Sequence, residues 1–145
     1  MAAAVLEGFG DLHRWQAALA AHGGAFACLE AGSRIGLVAE TSLSAAGCAG
    51  SRMLVWQATE RGVNVEAATF PGFERTDVDI LMAADDAALG SINEVLEGDW
   101  LATLRQLIRE GRVLFFARKT RRDLDEAGYE ELLEQLGFAF MGACR

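Results

Sequence analysis

The sequence contains few of the residues from which metal centres, disulfide frameworks and most catalytic sites are built. It has three cysteines, two histidines, one tyrosine and one proline among 145 residues. The motifs CxxC, HxH and HExxH are absent, as are the phosphate-binding patterns GxGxxG and GxxxxGK[ST], so we predict no metal site and no cofactor. An odd number of cysteines without framework spacing is typical of reduced thiols and favours a cytoplasmic location.

Positive charge and long apolar runs are also scarce. Lys and Arg total 13 against 21 Asp and Glu, which gives a net charge of −8 and a pI near 4.7. Proteins that bind nucleic acid or an anionic membrane surface do so with a basic face, so we expect neither partner. Apolar runs such as Val113–Ala117 are far shorter than the ~18 residues of a membrane span. The first residues include Glu7 and lack the basic region of a secretory signal.

The apolar content is sufficient for a folded core. Hydrophobic residues make up 52% and charged residues 23% of the chain, which is a globular balance. A domain of this length buries roughly two-thirds of its unfolded surface and needs no disulfide or metal to do so. We therefore expect one domain over residues 1–145 that folds on its own.

The N-terminal half changes from helical to strand periodicity. Apolar residues at three- and four-residue spacing predict a helix over Asp11–His22, with Asp11 as its N-cap and Gly23–Gly24 at its end. Alternating patterns then predict two β-hairpins, separated by a loop of small residues. The first pairs Ala25–Glu30 with Arg34–Glu40, the loop is Ser42–Ser51, and the second pairs Arg52–Thr59 with Val63–Phe70.

The C-terminal half alternates strands with amphipathic helices. Strands are predicted at Asp77–Ala84 and Arg112–Ala117, with helical stretches opened by Asp85 and Asp99 between them. A further helix, with an apolar stripe that includes Tyr129, leads into the strand pattern FAFMGAC at residues 138–144. Because a long helical connection between strands is typical of parallel neighbours, we expect the first two strands to run parallel.

These patterns together predict a mixed α/β fold, with α+β as the alternative. We expect one mixed sheet that combines N-terminal antiparallel hairpins with a C-terminal β-α-β layer. Helices should cover at least one face of this sheet, because each predicted helix has only one apolar stripe to bury.

Parallel strands would bring four charged residues to one edge of the sheet. Asp85 and Asp86 follow the first C-terminal strand, and Arg118 and Arg121 follow the second. Open α/β sheets bind ligands at this edge, and guanidinium groups beside a helix N-terminus bind anions. The four residues are therefore candidate ligands for an anionic small molecule. The alternative interpretation is that the aspartates cap a helix, Thr120–Asp123 forms a capping box, and the arginines are solvated or ion-paired.

The three cysteines divide into one loop residue and two strand residues. Cys48 lies between glycines and four residues before Arg52, which makes it a candidate reactive thiol. An incidental cysteine in a loop is the simpler interpretation, because the only histidines are His13 and His22 and at most one of them could serve as its base. Cys28 and Cys144 lie in strand patterns, and we expect both to be buried.

Two aromatic residues lie on either side of a turn. Phe70 and Phe73 flank Pro71–Gly72, and exposure of both rings would create a candidate contact surface. The alternative is that this segment folds back over the core and buries the rings.

Two function hypotheses follow, since no motif names a reaction or a catalytic residue. The leading one is a small acidic cytoplasmic protein that acts by association with a protein partner or with its own copy. It would use its acidic surface and the Phe70–Phe73 turn. The alternative is a small α/β enzyme or binding protein for a phosphorylated or carboxylated small molecule. The position of four residues distinguishes the two hypotheses, because only the small-molecule hypothesis requires them to line one cleft: Asp85, Asp86, Arg118 and Arg121.

Overall fold

The computed structural model of the chain describes residues 5–6, 9–43 and 52–138. Its strands are β1 (Val5–Leu6), β2 (Gly10–Asp11), β3 (Arg34–Ala39), β4 (Arg52–Thr59), β5 (Gly62–Thr69), β6 (Ile80–Ala84) and β7 (Val113–Ala117). Its α-helices are α1 (Leu12–Ala21), α2 (Gly23–Phe26), α3 (Asp86–Glu94), α4 (Trp100–Arg109), α5 (Arg121–Glu126) and α6 (Glu130–Gln135), and a 3-10 helix spans Glu40–Leu43.

Five strands form one mixed sheet in the order β5-β4-β3-β6-β7. The pairs β5-β4, β4-β3 and β6-β7 are antiparallel, and β3-β6 is parallel. The short strands β1 and β2 pair with each other in a separate two-stranded sheet. The predicted fold class, a mixed sheet with helices in an α/β arrangement, is confirmed.

The second predicted hairpin is confirmed and the first is wrong. Strands β4 and β5 pair over their full length, and Gly62 opens β5 at a positive φ of 140° that favours glycine. By contrast, Ala25 and Phe26 belong to helix α2, and β3 pairs with β4 and β6 instead. A short apolar stretch fits a helical turn as well as a strand, and here the Phe26 ring packs in the helical position against Trp56 and Trp100.

The expectation that β6 and β7 run parallel is also wrong. Ala84 at the end of β6 lies opposite Val113 at the start of β7, so the two strands are antiparallel. The connection contains two helices, which Gly98 and the N-cap Asp99 separate. Because α3 leads away from the end of β6 and α4 leads back, the chain re-enters the sheet at the end it left.

The two faces of the sheet are covered differently. The six described α-helices all contribute to the core on one side, the helix face. There Trp15, Trp56 and Trp100 contact one another with ring centroids 5.6–6.2 Å apart. The opposite side, the loop face, is covered at its centre by residues 70–78, and both Phe70 and Val78 are buried there. The expectation that helices cover at least one face is confirmed.

The helix ends follow local sequence signals. Side-chain oxygens accept a hydrogen bond from the first turn of each helix at the predicted N-caps Asp11, Asp85, Asp99 and Thr120. The last predicted helix is two helices, α5 and α6, because Gly128 between them has a φ of 90°. A side chain at this position would collide with the carbonyl of Cys28, so the loop before β3 packs directly on the α5–α6 junction.

Candidate functional site

The four residues of the predicted anion site do not line one cleft. Because β6 and β7 are antiparallel, Asp85 and Asp86 lie at the opposite end of the strand pair from Arg118. Asp85 accepts a 2.7 Å hydrogen bond from the Ala88 amide and lies 3.5 Å from the Arg112 guanidinium. The amide hydrogen bond, with a smaller effect of Arg112, lowers the pKa of Asp85, so it acts as an ionised helix cap.

The other three residues have separate environments. Asp86 is exposed in the first turn of α3, and Arg121 is exposed at the start of α5. The Arg118 guanidinium lies 4.9 Å from the centre of the Phe73 ring and donates a 3.4 Å hydrogen bond to the Glu74 carbonyl. The parallel-edge argument for a site at these residues is therefore wrong.

A polar cluster that sequence reasoning missed lies at the start of β3 and β6. The buried Tyr129 hydroxyl donates a 2.8 Å hydrogen bond to Asp79 Oδ2, which also accepts a 3.2 Å bond from the Arg34 amide. Lys119 Nζ lies 3.8 Å from the other Asp79 oxygen. Burial, and next the hydrogen bond to Asp79, raise the pKa of Tyr129, so its hydroxyl remains a neutral donor and is unsuited to act as a general base.

A cavity of about 330 Å³ lies beside this cluster. Its lining includes the carboxylates of Glu30, Asp79 and Asp123 against the single ammonium of Lys119. This charge balance disfavours the anionic ligand that the sequence suggested. Within the described ranges, no group of three or more His, Cys, Asp or Glu side chains could hold a metal ion. The hydrogen bond from Tyr129 to Asp79 links the α5–α6 junction to the sheet.

The two aromatic residues at the turn have different environments. Phe70 is fully buried in the loop-face core, so it cannot belong to an exposed contact surface, and the alternative of burial over the core is correct for it. Phe73 is 38% exposed and is the large apolar side chain that the described part of the fold leaves open to solvent. Its ring packs edge-on against Phe116 at 5.1 Å, and Leu114 lies two residues before Phe116 on the same sheet face. Phe73, Leu114 and Phe116 form the Phe73 patch.

Strand β7, which contains Leu114 and Phe116 of this patch, lies at one end of the strand order that the described residues form. Arg112 and Arg118 flank the strand and hydrogen-bond to the extension of β6: Asp85 N–H donates to the Arg112 carbonyl, and Arg118 N–H donates to the Asp79 carbonyl. In an antiparallel pair these bonds alternate along the strand, so the backbone groups of Val113, Phe115 and Ala117 point away from the sheet.

The thiol predictions have different outcomes. Cys28 is exposed in the turn after α2, so its predicted burial in a strand is wrong. Cys48, Cys144, residues 44–51 of the predicted loop and residues 139–144 of the predicted last strand lie outside the described residues.

No protein-family model matches the chain, and no curated protein is significantly similar to it in sequence. Function is therefore argued from the residues themselves. In the described part of the chain, no helix has the length and apolar character needed to cross a bilayer, and the longest ones, α1 and α4, have 10 residues.

Proposed function

We propose that this protein acts by association with a protein partner or with its own copy, and that the Phe73 patch is the contact surface. The observation that carries the proposal is the 38% exposure of Phe73 in a described fold that buries its other large apolar side chains more deeply. Aromatic residues are enriched in the centres of protein interfaces, where they contribute most of the binding free energy.

The surroundings of Phe73 suit a contact residue. Phe116 supports one side of the ring, and the Arg118 guanidinium lies over it. A ring held in place by its neighbours loses little conformational entropy on binding, so more of its burial energy is available to the complex. An arginine beside a central aromatic residue also supplies polar contacts at the rim.

The proposal includes a cytoplasmic location. The exposed, unpaired thiol of Cys28 supports it, because such thiols persist in reducing compartments. The alternative of an enzyme or binding protein for an anionic small molecule has no comparable support. Its four residues are separated, and the cavity beside Asp79 and Tyr129 is predominantly acidic.

The test uses Phe73→Ser and, as a matched control, Arg109→Ser on the exposed side of α4. Native lysates that contain each tagged full-length protein are cross-linked, and the species recovered with wild type and variants are quantified by mass spectrometry. Light scattering on the purified proteins measures self-association. We expect Phe73→Ser to lose the principal partner or the dimer and Arg109→Ser to retain it.

Melting temperatures distinguish a lost contact from a lost fold. Phe73 is partly exposed, so we expect Phe73→Ser to cost at most about 1.5 kcal/mol of stability, mainly through the contact with Phe116. Equal recovery of the same species with wild type and Phe73→Ser would overturn the proposal.

A further inference from the structure

Strand β5 lies at one end of the strand order that the described residues form, and its side chains are poorly covered. Four of its eight residues are exposed and the other four are only partly buried. The neighbouring strand β4, by contrast, buries five of its eight residues. An exposed strand at the end of a sheet presents backbone groups with which another chain can pair, so proteins commonly block such strands.

The side chain of Gln16 occupies two of the outward backbone groups of β5. Its amide nitrogen donates a 2.6 Å hydrogen bond to the Val63 carbonyl, and its amide oxygen accepts a 2.9 Å bond from the Val65 N–H. A residue of a parallel neighbouring strand that faced Asn64 would form hydrogen bonds with the same two groups. The side-chain amide of Gln16 therefore imitates the peptide group of a sixth strand.

Helix α1 holds this side chain in position. Trp15, the residue before Gln16, and Leu19, three residues after it, are both fully buried in the helix-face core. The helix also packs against β5, and Asp11 caps its first turn. A side chain on a helix that is anchored in this way loses little additional conformational entropy when it forms two hydrogen bonds. The contact between Gln16 and β5 is therefore a stable part of the fold.

The sequence of β5 suits pairing with a second copy of itself. Because the Val65 N–H points outward and this orientation alternates along a strand, the backbone groups of Val63, Val65 and Ala67 all face away from β4. An antiparallel β5–β5 pair centred on Val65 would use these groups and would place Asn64 of each copy opposite Glu66 of the other. This register keeps the two Glu66 carboxylates apart, whereas like charges directly opposite are destabilising.

We propose that Gln16 is an autoinhibitory contact that prevents β5 from pairing with a second copy of this chain. A second β5 can use Val63 and Val65 only after both hydrogen bonds to Gln16 are broken and the side chain is displaced. Loss of the amide would expose the two backbone groups at the centre of the pairing register. The contact is separate from the Phe73 patch, whose residues Leu114 and Phe116 belong to β7 at the other end of the strand order.

The test uses Gln16→Ala, which removes the amide and keeps a good helix former in α1. The matched control is Gln106→Ala on the exposed side of α4, where the amide donates to Glu110 in the same helix. Analytical ultracentrifugation of the full-length proteins over a range of concentrations measures dimerisation. We expect Gln16→Ala to dimerise at least about tenfold more tightly than wild type, and Gln106→Ala to behave as wild type. Addition of Ala67→Pro, which removes an outward N–H that the β5–β5 pair needs, should abolish the Gln16→Ala dimer.

Hydrogen exchange of the wild-type protein tests the contact even if Gln16→Ala is too unstable to study. The Val65 amide should exchange at least about tenfold more slowly in the native protein than in the unfolded chain, because Gln16 accepts its hydrogen bond. Exchange at the unfolded rate would overturn the proposal. So would a folded Gln16→Ala that sediments as wild type, or a Gln16→Ala dimer that persists with Ala67→Pro. A Gln16→Ala dimer that Phe73→Ser abolishes would assign the association to the Phe73 patch and not to β5.

Discussion

The helix face and the loop face of the sheet are both buried, but by different kinds of structure. On the helix face, apolar stripes of regular helices converge on the three tryptophans. On the loop face, an irregular segment places Phe70 and Val78 against the strands, and Thr76 is also buried. The comparison shows that an irregular segment can complete a core when it supplies a few well-placed apolar side chains. Hydrophobic periodicity in the sequence detects the helices that cover one face, but it does not detect an irregular segment that covers the other.

The largest expected effect tests whether the loop face is a genuine core. Phe70→Ala removes a fully buried ring, and substitutions of this kind cost about 3–5 kcal/mol. Because domains are stable by only about 5–15 kcal/mol, the loss should be plain in urea unfolding followed by circular dichroism. Phe73→Ser, three residues along the same segment, is the matched control and should cost far less. Similar losses of stability from the two variants would mean that residues 70–78 pack loosely over the sheet and that Phe70 contributes no more than the partly exposed Phe73.

The same comparison explains which elements the sequence could predict. The helix N-caps, the hairpin β4-β5 and the apolar stripes of α1, α3 and α4 depend on residues close in the chain, and all are found where the patterns place them. The burial of Phe70 depends on which way the chain turns at Pro71–Gly72, and local composition does not specify that direction. The sequence therefore leaves exposure and burial of Phe70 open as alternatives, and the structure shows burial.

The direction of β7 and the polar cluster required information from distant parts of the chain. Gly98 and Asp99 do indicate two helices between β6 and β7, and a helical pair that returns to its starting end makes the next strand antiparallel. The contact of Tyr129 with Asp79 joins residues 50 positions apart, each of which fits an ordinary pattern by itself. The sequence pattern places Asp79 on the solvated side of a strand, and it places Tyr129 on the apolar stripe of a helix.

The second, smaller effect is a pH dependence of stability that arises on the helix face and not on the loop face. The helix-face core includes the Tyr129 hydroxyl, whose pKa is raised by burial and by Asp79, whereas no tyrosine lies on the loop face. A raised pKa means that the native state holds the phenol proton after the unfolded chain has released it near pH 10. Stability is therefore unaffected by this group below about pH 10 and falls as the pH rises further.

This loss can be measured on a single residue, because Tyr129 is the only tyrosine. Absorbance at the tyrosinate band should show no ionisation of the native protein at pH 10 to 11 and an ordinary titration after unfolding. Tyr129→Phe should cost about 1–2 kcal/mol at neutral pH, since Asp79 loses a hydrogen bond, and should show a shallower decline of stability above pH 10. Native ionisation near pH 10 would mean that the hydroxyl is solvated.

The smallest expected effect examines the centre of the helix face, where one tryptophan differs from the other two. Trp15 Nε1 donates to the Phe9 carbonyl and Trp100 Nε1 donates to the Ala18 carbonyl, but the buried Trp56 Nε1 has no hydrogen-bond partner among the residues that the structure describes. An unpaired buried donor costs about 1–3 kcal/mol, so Trp56→Phe removes this penalty while it leaves a small cavity. The two effects oppose each other, and we expect a net change within about 1 kcal/mol. Trp15→Phe, which also orphans the Phe9 carbonyl, should cost clearly more in the same urea titration. Equal losses of stability from Trp56→Phe and Trp15→Phe would show that the Trp56 indole is hydrogen-bonded in solution. Each of the three tryptophan N–H groups in the helix-face core would then have a partner.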